Sequence, residues 1–212
     1  MKILNCKKNK IAIALAFALL VSALLSFARF DALCQDLRTN VLRLHILANS
    51  DSDDDQELKL KVRDAVLKEC GYVFKNNTSL EQAVSTARSN LDVFSSVAQK
   101  TITDNGYNYD VSVELCEDFF DTRVYDDFTL PAGVYEALKI KIGDAEGKNW
   151  WCVMFPSVCV YSASDADNKQ NNRLDYSTSK QSAYIAEHSE KYVVKFKIVE
   201  IYERVKNYFN KS

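Results

Sequence analysis

The side chains best equipped for chemistry crowd into the run Val41-Leu42-Arg43-Leu44-His45-Ile46-Leu47-Ala48-Asn49-Ser50-Asp51-Ser52-Asp53-Asp54-Asp55. Asp51, Asp53 and Asp55 stand at alternate positions, as do the first three ligands of a calcium-binding EF-hand loop. The match stops there, because the sixth position requires glycine and holds Gln56, and the twelfth requires a bidentate glutamate and holds Val62. His45 has no His or Cys partner at ligand spacing, and the six cysteines include no CxxC pair. GxSxG, HExxH, P-loop and dinucleotide fingerprints are all missing. The adjacent carboxylates Glu117-Asp118 and Asp126-Asp127 read as solvated charge in turns. The expectation is a protein that is not an enzyme, with no catalytic residue, metal, cofactor or small-molecule substrate.

Two other groups carry chemistry. Phe155-Pro156-Ser157 lies between Cys152 and Cys159 and could turn the chain back far enough to bridge them in an exported protein; the alternative is two small buried hydrophobes. Trp150 and Trp151 must point to opposite faces of a strand, so one suits the core and the other a binding surface.

The elements that position these residues follow from periodicity. Leu42, Leu44, Ile46 and Ala48 alternate with Arg43 and His45, the pattern of a half-buried strand. Ser52, with Asp55 three residues on, caps a helix whose buried stripe is Leu58, Val62, Ala65 and Val66. Thr78 with Glu81 caps a second, longer helix along Leu80, Val84, Ala87, Leu91, Phe94, Ala98 and Ile102. Strands follow at Tyr107 to Leu115, Val134 to Ile142 and Asn149 to Phe155, separated by Pro131-Ala132-Gly133 and a loop bounded by Gly143 and Gly147. Val194, Ile198, Ile201, Val205 and Tyr208 mark a C-terminal amphipathic helix, docked on the core or on a partner.

The predicted fold is α+β, a mostly antiparallel sheet with helices packed on one face, after an N-terminal signal or membrane segment. The predicted divisions are 1–30 for that segment, 38–161 for a single α+β domain, 162–191 for a flexible polar insertion and 192–212 for the C-terminal helix packed on the domain. With 212 residues, 47% hydrophobic, 26% charged and a net charge of −2, the chain suits one globular domain and lacks the basic excess of a nucleic-acid binder. Lys2, Lys7, Lys8 and Lys10 precede an apolar run over residues 11–27. That is either an N-terminal membrane anchor or a signal peptide with Ala28 as its cleavage point, and both send the rest of the chain out of the cytoplasm.

Two blocks carry a family resemblance. LRLHILANSDSDDDQELKLKVRDAVL, residues 42–67, resembles the opening block of stage II sporulation protein R. Leu130-Pro131-Ala132-Gly133-Val134-Tyr135-Glu136-Ala137, followed by Gly147 to Cys159, is similar to the same family's later PAGxYEA and NWWCVLFPPLC blocks. The chain departs from that pattern at Ser157, where the family has a second proline. The resemblance implies a signalling protein of endospore formation, exported from the forespore into the space between forespore and mother cell. Its implied partner is the extracytoplasmic part of a membrane-embedded aspartic protease, stage II sporulation protein GA, which processes the precursor of sigma factor E.

The resemblance also runs through polar positions that neither capping nor burial explains, which places the recognition surface on the polar face of the first strand, the following loop and the exposed side of the first helix. The candidates are Arg43, His45, Asn49, Asp51, Lys59 and Arg63, with Trp150 and Trp151 beside them. The alternative for Arg43 and Asp51 is that they pair with each other or satisfy loop backbone. Competing functions are an exported cell-wall or peptide hydrolase and a wall- or glycan-binding module using an exposed tryptophan.

Overall fold

One unbroken helix, α1 (Lys2–Arg38), opens the chain in the computed structural model, which describes residues 2–125, 128–156 and 177–210, with side chains from residue 10 onward. Its run over residues 11–27 is apolar on all sides, and the stretch apolar enough to cross a membrane has no buried residue. A helix hydrophobic all round and covered by no protein is suited to lipid. Its second half changes character: Phe30, Cys34 and Leu37, at helical spacing, are buried against the globular part. The core therefore starts ahead of residue 38.

The main sheet contains β1 (Leu42–Leu47), β2 (Val111–Phe120), β5 (Gly133–Ile142) and β6 (Asn149–Phe155) in the order β2-β5-β1-β6. A small hairpin of β3 (Arg123–Val124) and β4 (Thr129–Leu130) lies beside it. The pairs β2–β5 and β1–β6 are antiparallel and β1–β5 is parallel, so the sheet is mostly antiparallel as expected. The expected meander is interrupted, because β1 inserts between β5 and β6. That central place buries every residue from Leu42 to Ile46.

Helices cover both faces rather than one. On the first face, α2 (Asp53–Cys70), α3 (Leu80–Ser89) and α4 (Leu91–Asp104) pack Leu58, Val62, Phe94 and Ile102 onto Leu42, Leu44, Ile46, Leu138 and Ile140. On the second, the end of α1 joins α5 (Lys180–Glu187) and α6 (Val193–Asn210) over Tyr135, Ala137 and Val153. The sheet needs this second cover because β5 and β6 carry apolar residues on both sides.

Several local expectations shift. Ser52 Oγ accepts from Asp55 N at 3.2 Å, as the capping pair requires. The second cap moves by one residue: Ser79 Oγ accepts from Gln82 N at 3.3 Å, and Gln82 Oε1 accepts from Thr78 N at 2.9 Å. Thr78/Glu81 and Ser79/Gln82 both satisfy the box, and spacing alone does not rank them. The long second helix is two, broken at Asn90. The polar stretch read as a flexible insertion up to residue 191 contains α5, whose Ala183, Ile185 and Ala186 are buried and whose N-cap Ser179 accepts from Ser182 N at 3.2 Å.

The C-terminal helix is reversed relative to expectation. Phe196, Val199, Glu200 and Glu203 face inward, while the stripe Val194, Ile198, Ile201, Val205 and Tyr208 is 48–71% exposed. Buried Arg38 decides the rotation: it draws Glu203 inward at 3.4 Å while also bonding Asp31 at 3.0 Å and the Ala132 carbonyl at 3.0 Å.

Candidate functional site

Strand alternation places Arg43 and His45 on the sheet face opposite Leu42, Leu44 and Ile46. Both were expected to face solvent; instead Arg43 is fully buried and His45 is only 7% exposed, because β1 is flanked on both sides and covered on both faces. The Arg43 guanidinium lies 4.0 Å from the Phe120 ring centroid and 5.0 Å from that of Tyr135, and Nη2 donates to the Tyr125 hydroxyl at 2.7 Å. Its Nε and Nη1 have no hydrogen-bond partner among the described residues.

Sheet register then assembles a polar cluster at the edge of this cover. His45 stands opposite Lys139 on one side and Trp151 on the other, and Lys139 stands opposite Glu114. His45 Nδ1 meets Asp118 Oδ2 at 2.7 Å and His45 Nε2 meets Asn149 Oδ1 at 3.0 Å. Lys139 Nζ closes on the same Asp118 oxygen at 2.9 Å, and Lys141 Nζ on Glu114 at 2.6 Å. Trp151 packs 5.8 Å from the imidazole and carries the Arg123 guanidinium 3.6 Å from its ring centroid.

Burial works to raise the Asp118 carboxyl, but the hydrogen bonds and charges of His45 and Lys139 overcome it and hold the group well below the usual carboxylate range. A carboxyl depressed in the folded state contributes stability above its unfolded value, roughly pH 3.9, and loses it as pH falls toward the folded value. Asp118→Asn is therefore expected to melt below the unaltered chain at neutral pH, and the gap to narrow on acidification below about pH 4. Melting curves of both proteins at the two pH values check this; an unchanged gap would mean the ion cluster contributes nothing.

Neither imidazole nitrogen of His45 is left free in this arrangement, and no described hydroxyl or thiol bonds to it, whereas a general base needs an available nitrogen within about 3 Å of the proton it takes. Among the described residues no group of three or more His, Cys, Asp or Glu converges on a metal site.

The remaining sequence candidates lie elsewhere, so the expected single surface divides. Asn49, Asp51 and Lys59 tie the loop after β1 to the loop between β5 and β6. Asn49 Nδ2 donates to Asp55 at 2.9 Å, its Oδ1 accepts from Asp144 N at 3.0 Å, and Asp51 Oδ1 accepts from Lys148 N at 2.7 Å. Lys59, nearly buried, donates to the Lys148 carbonyl at 2.9 Å. Asp51 thus satisfies loop backbone and does not pair with Arg43. Arg63 lies over Trp150, 4.5 Å from its ring centroid, on the helical face of the sheet opposite the His45 cluster. Cys152 is disulfide-bonded; Cys159, its expected partner, lies outside the described residues, as do Asp126 and Asp127.

The family model described as stage II sporulation protein R matches residues 38–165, which include every member of the cluster. The chain belongs to the stage II sporulation protein R family. It is also 36% identical over 187 residues to the stage II sporulation protein R of Bacillus subtilis (strain 168), covering 85% of this chain and 84% of that one. No solved structure matches it. Membership of this family gives the chain a role in sporulation, and its N-terminal apolar helix fits a signal or membrane segment.

For this member of the stage II sporulation protein R family, sequence reasoning found Arg43 and His45 but missed Asp118, Lys139, Asn149, Arg123 and Tyr125. A usable signal existed for Asp118. The alternation Ser112, Glu114, Cys116, Asp118 continues the strand past Leu115, where the reading stopped, and puts Asp118 on the polar side with Lys139.

Proposed function

We propose that this protein is the exported signal of endospore formation that switches on the membrane-embedded aspartic protease, stage II sporulation protein GA, and so triggers processing of the sigma factor E precursor. The forespore makes it, the N-terminal segment sends it across the forespore membrane, and it acts in the intermembrane space. The reading rests on family membership, and the observation that carries the mode of action is the His45–Asp118–Lys139 cluster, a fixed polar array with every charge bonded and no nucleophile attached. Such an array recognises a protein surface by complementary charge and hydrogen bonds. The protease does the chemistry; this chain supplies a face for its extracytoplasmic part, framed by Trp151 and Arg123.

Co-expression with the protease and its precursor substrate in a non-sporulating host tests this. The unaltered chain is expected to yield cleaved precursor. Lys139→Ala and Trp151→Ala are each expected to reduce cleavage about tenfold or more, the loss typical of an interface hot spot, while Lys100→Ala on the far helical layer leaves it unchanged. Absence of cleavage with the unaltered chain would overturn the activation reading. Full cleavage with both cluster variants would move the docking face elsewhere.

A further inference from the structure

The sporulation reading leaves unused a groove of about 570 Å³ where α1 enters the globular part, lined by Arg29, Phe30, Lys180, Tyr184, Tyr192 and Lys195 among others. Among the described residues, three cations line it and no carboxylate does. None of the three makes a salt bridge among the described residues; Lys195 Nζ only donates to Ser26 Oγ at 3.2 Å and lies 5.5 Å from the Phe30 ring centroid. Elsewhere on the same layer cations are matched, as with Arg38 to Asp31 and Glu203, or Arg204 to Asp121 and Glu200. An unneutralised cationic groove over an aromatic floor is built for an anion with an apolar part.

Its position says which anion. The apolar run over residues 11–27 spans about 25 Å at the helical rise, against roughly 30 Å of bilayer hydrocarbon. Lysines hold the inner end at the cytoplasmic surface, so the shortfall is met at the other end by drawing Ala28, Arg29 and Phe30 toward the lipid. The groove then lies at headgroup depth in the outer leaflet. The exposed apolar stripe of α6 continues the same surface, since Tyr202 packs edge-on against Phe27 at 5.7 Å between ring centroids.

We infer that this groove binds the phosphodiester headgroup of an anionic glycerophospholipid. Arg29, Lys180 and Lys195 would surround the phosphate, with Tyr184 and Tyr192 against the glycerol and the acyl chains running along the apolar surface of α1 and α6. The occupant is a lipid and not a second copy, because the stripe is continuous with a helix whose own exposed surface suits a bilayer.

The test uses the full chain in neutral detergent, titrated with dioctanoyl phosphatidylglycerol, dioctanoyl phosphatidylcholine or glycerol 1-phosphate, with bound ligand read by native mass spectrometry. Phosphatidylglycerol alone is expected to be retained. The double variant Lys180→Gln/Lys195→Gln, which changes only exposed side chains, is expected to bind it about 30-fold more weakly, the loss of two near-surface cations, and Lys100→Gln to bind it normally. Equal retention of phosphatidylcholine, or a double variant that binds as before, would overturn the site. Equal retention of glycerol 1-phosphate would overturn the lipid assignment by showing a site for soluble phosphate.

Discussion

Replacing Gly147 with alanine is expected to lower stability by about 3 kcal/mol, the upper part of the range for overpacking a close-fitted position, and, under the proposed function, to abolish precursor cleavage at 37 °C. A Cβ at this position would collide with the Ser50 carbonyl, lying 2.6 Å from its carbon and 3.0 Å from the Ala48 side chain. The obstacle is backbone and does not rotate away. It is also held in place: Gly147 N donates to the Ala48 carbonyl at 3.0 Å and Glu146 N to that of Asn49 at 3.1 Å, next to the Asn49, Asp51 and Lys59 bonds. Relief would require the β5–β6 loop to part from β1, which carries His45. For a chain of this size the loss corresponds to a fall in Tm of about 10 °C. Gly106→Ala is the comparison. There φ is +84° but nothing lies within 4 Å of the added carbon, so only the conformational cost of about 1 kcal/mol applies. Melting curves of the two variants decide the matter. A Gly147→Ala chain that melts with the unaltered one would show that the two loops are not clamped.

Arg43 is expected to behave in opposite ways under two substitutions. Arg43→Ala removes a fully buried side chain from between Phe120 and Tyr135 and is expected to cost about 3 kcal/mol through the cavity it leaves. Arg43→Met fills most of that space with no polar atom. Among the described residues the guanidinium leaves Nε and Nη1 unbonded, a penalty of about 1–3 kcal/mol for each stranded donor, offset in part by two ring contacts at about 0.5–2 kcal/mol each. The methionine chain should therefore melt at or above the unaltered temperature, as when buried charges are replaced by apolar residues of similar size. Under the proposed function it should also signal poorly, because the Tyr125 hydroxyl, and with it the β3–β4 hairpin that carries Arg123 over Trp151, loses its anchor. A methionine chain that is stable and signals fully would show Arg43 to be dispensable. One as unstable as the alanine variant would show that the ring contacts outweigh the stranded donors.

Much of this protein was determined by the sequence alone. Alternation in residues 42–48 and 134–142, the Ser52–Asp55 cap and the polar faces of the strands each depend on neighbours within a few positions, so the elements and the α+β class are local properties. The apolar run behind four lysines needs no partner to be read, and the two family blocks are contiguous. Tertiary structure decided what depends on non-local pairing. Where β1 enters the sheet cannot be derived from its own residues, yet that central position turns Arg43 and His45 from solvent-facing candidates into buried ones and brings Asp118, 73 residues away in sequence, within 2.7 Å of the imidazole. The inward face of α6 was likewise chosen by Arg38, whose burial next to Glu203 outweighs the apolar stripe the period of that helix displays. A buried charge left without its partner costs several kcal/mol, more than leaving a few half-covered valines and isoleucines on a surface that continues into a lipid-suited helix.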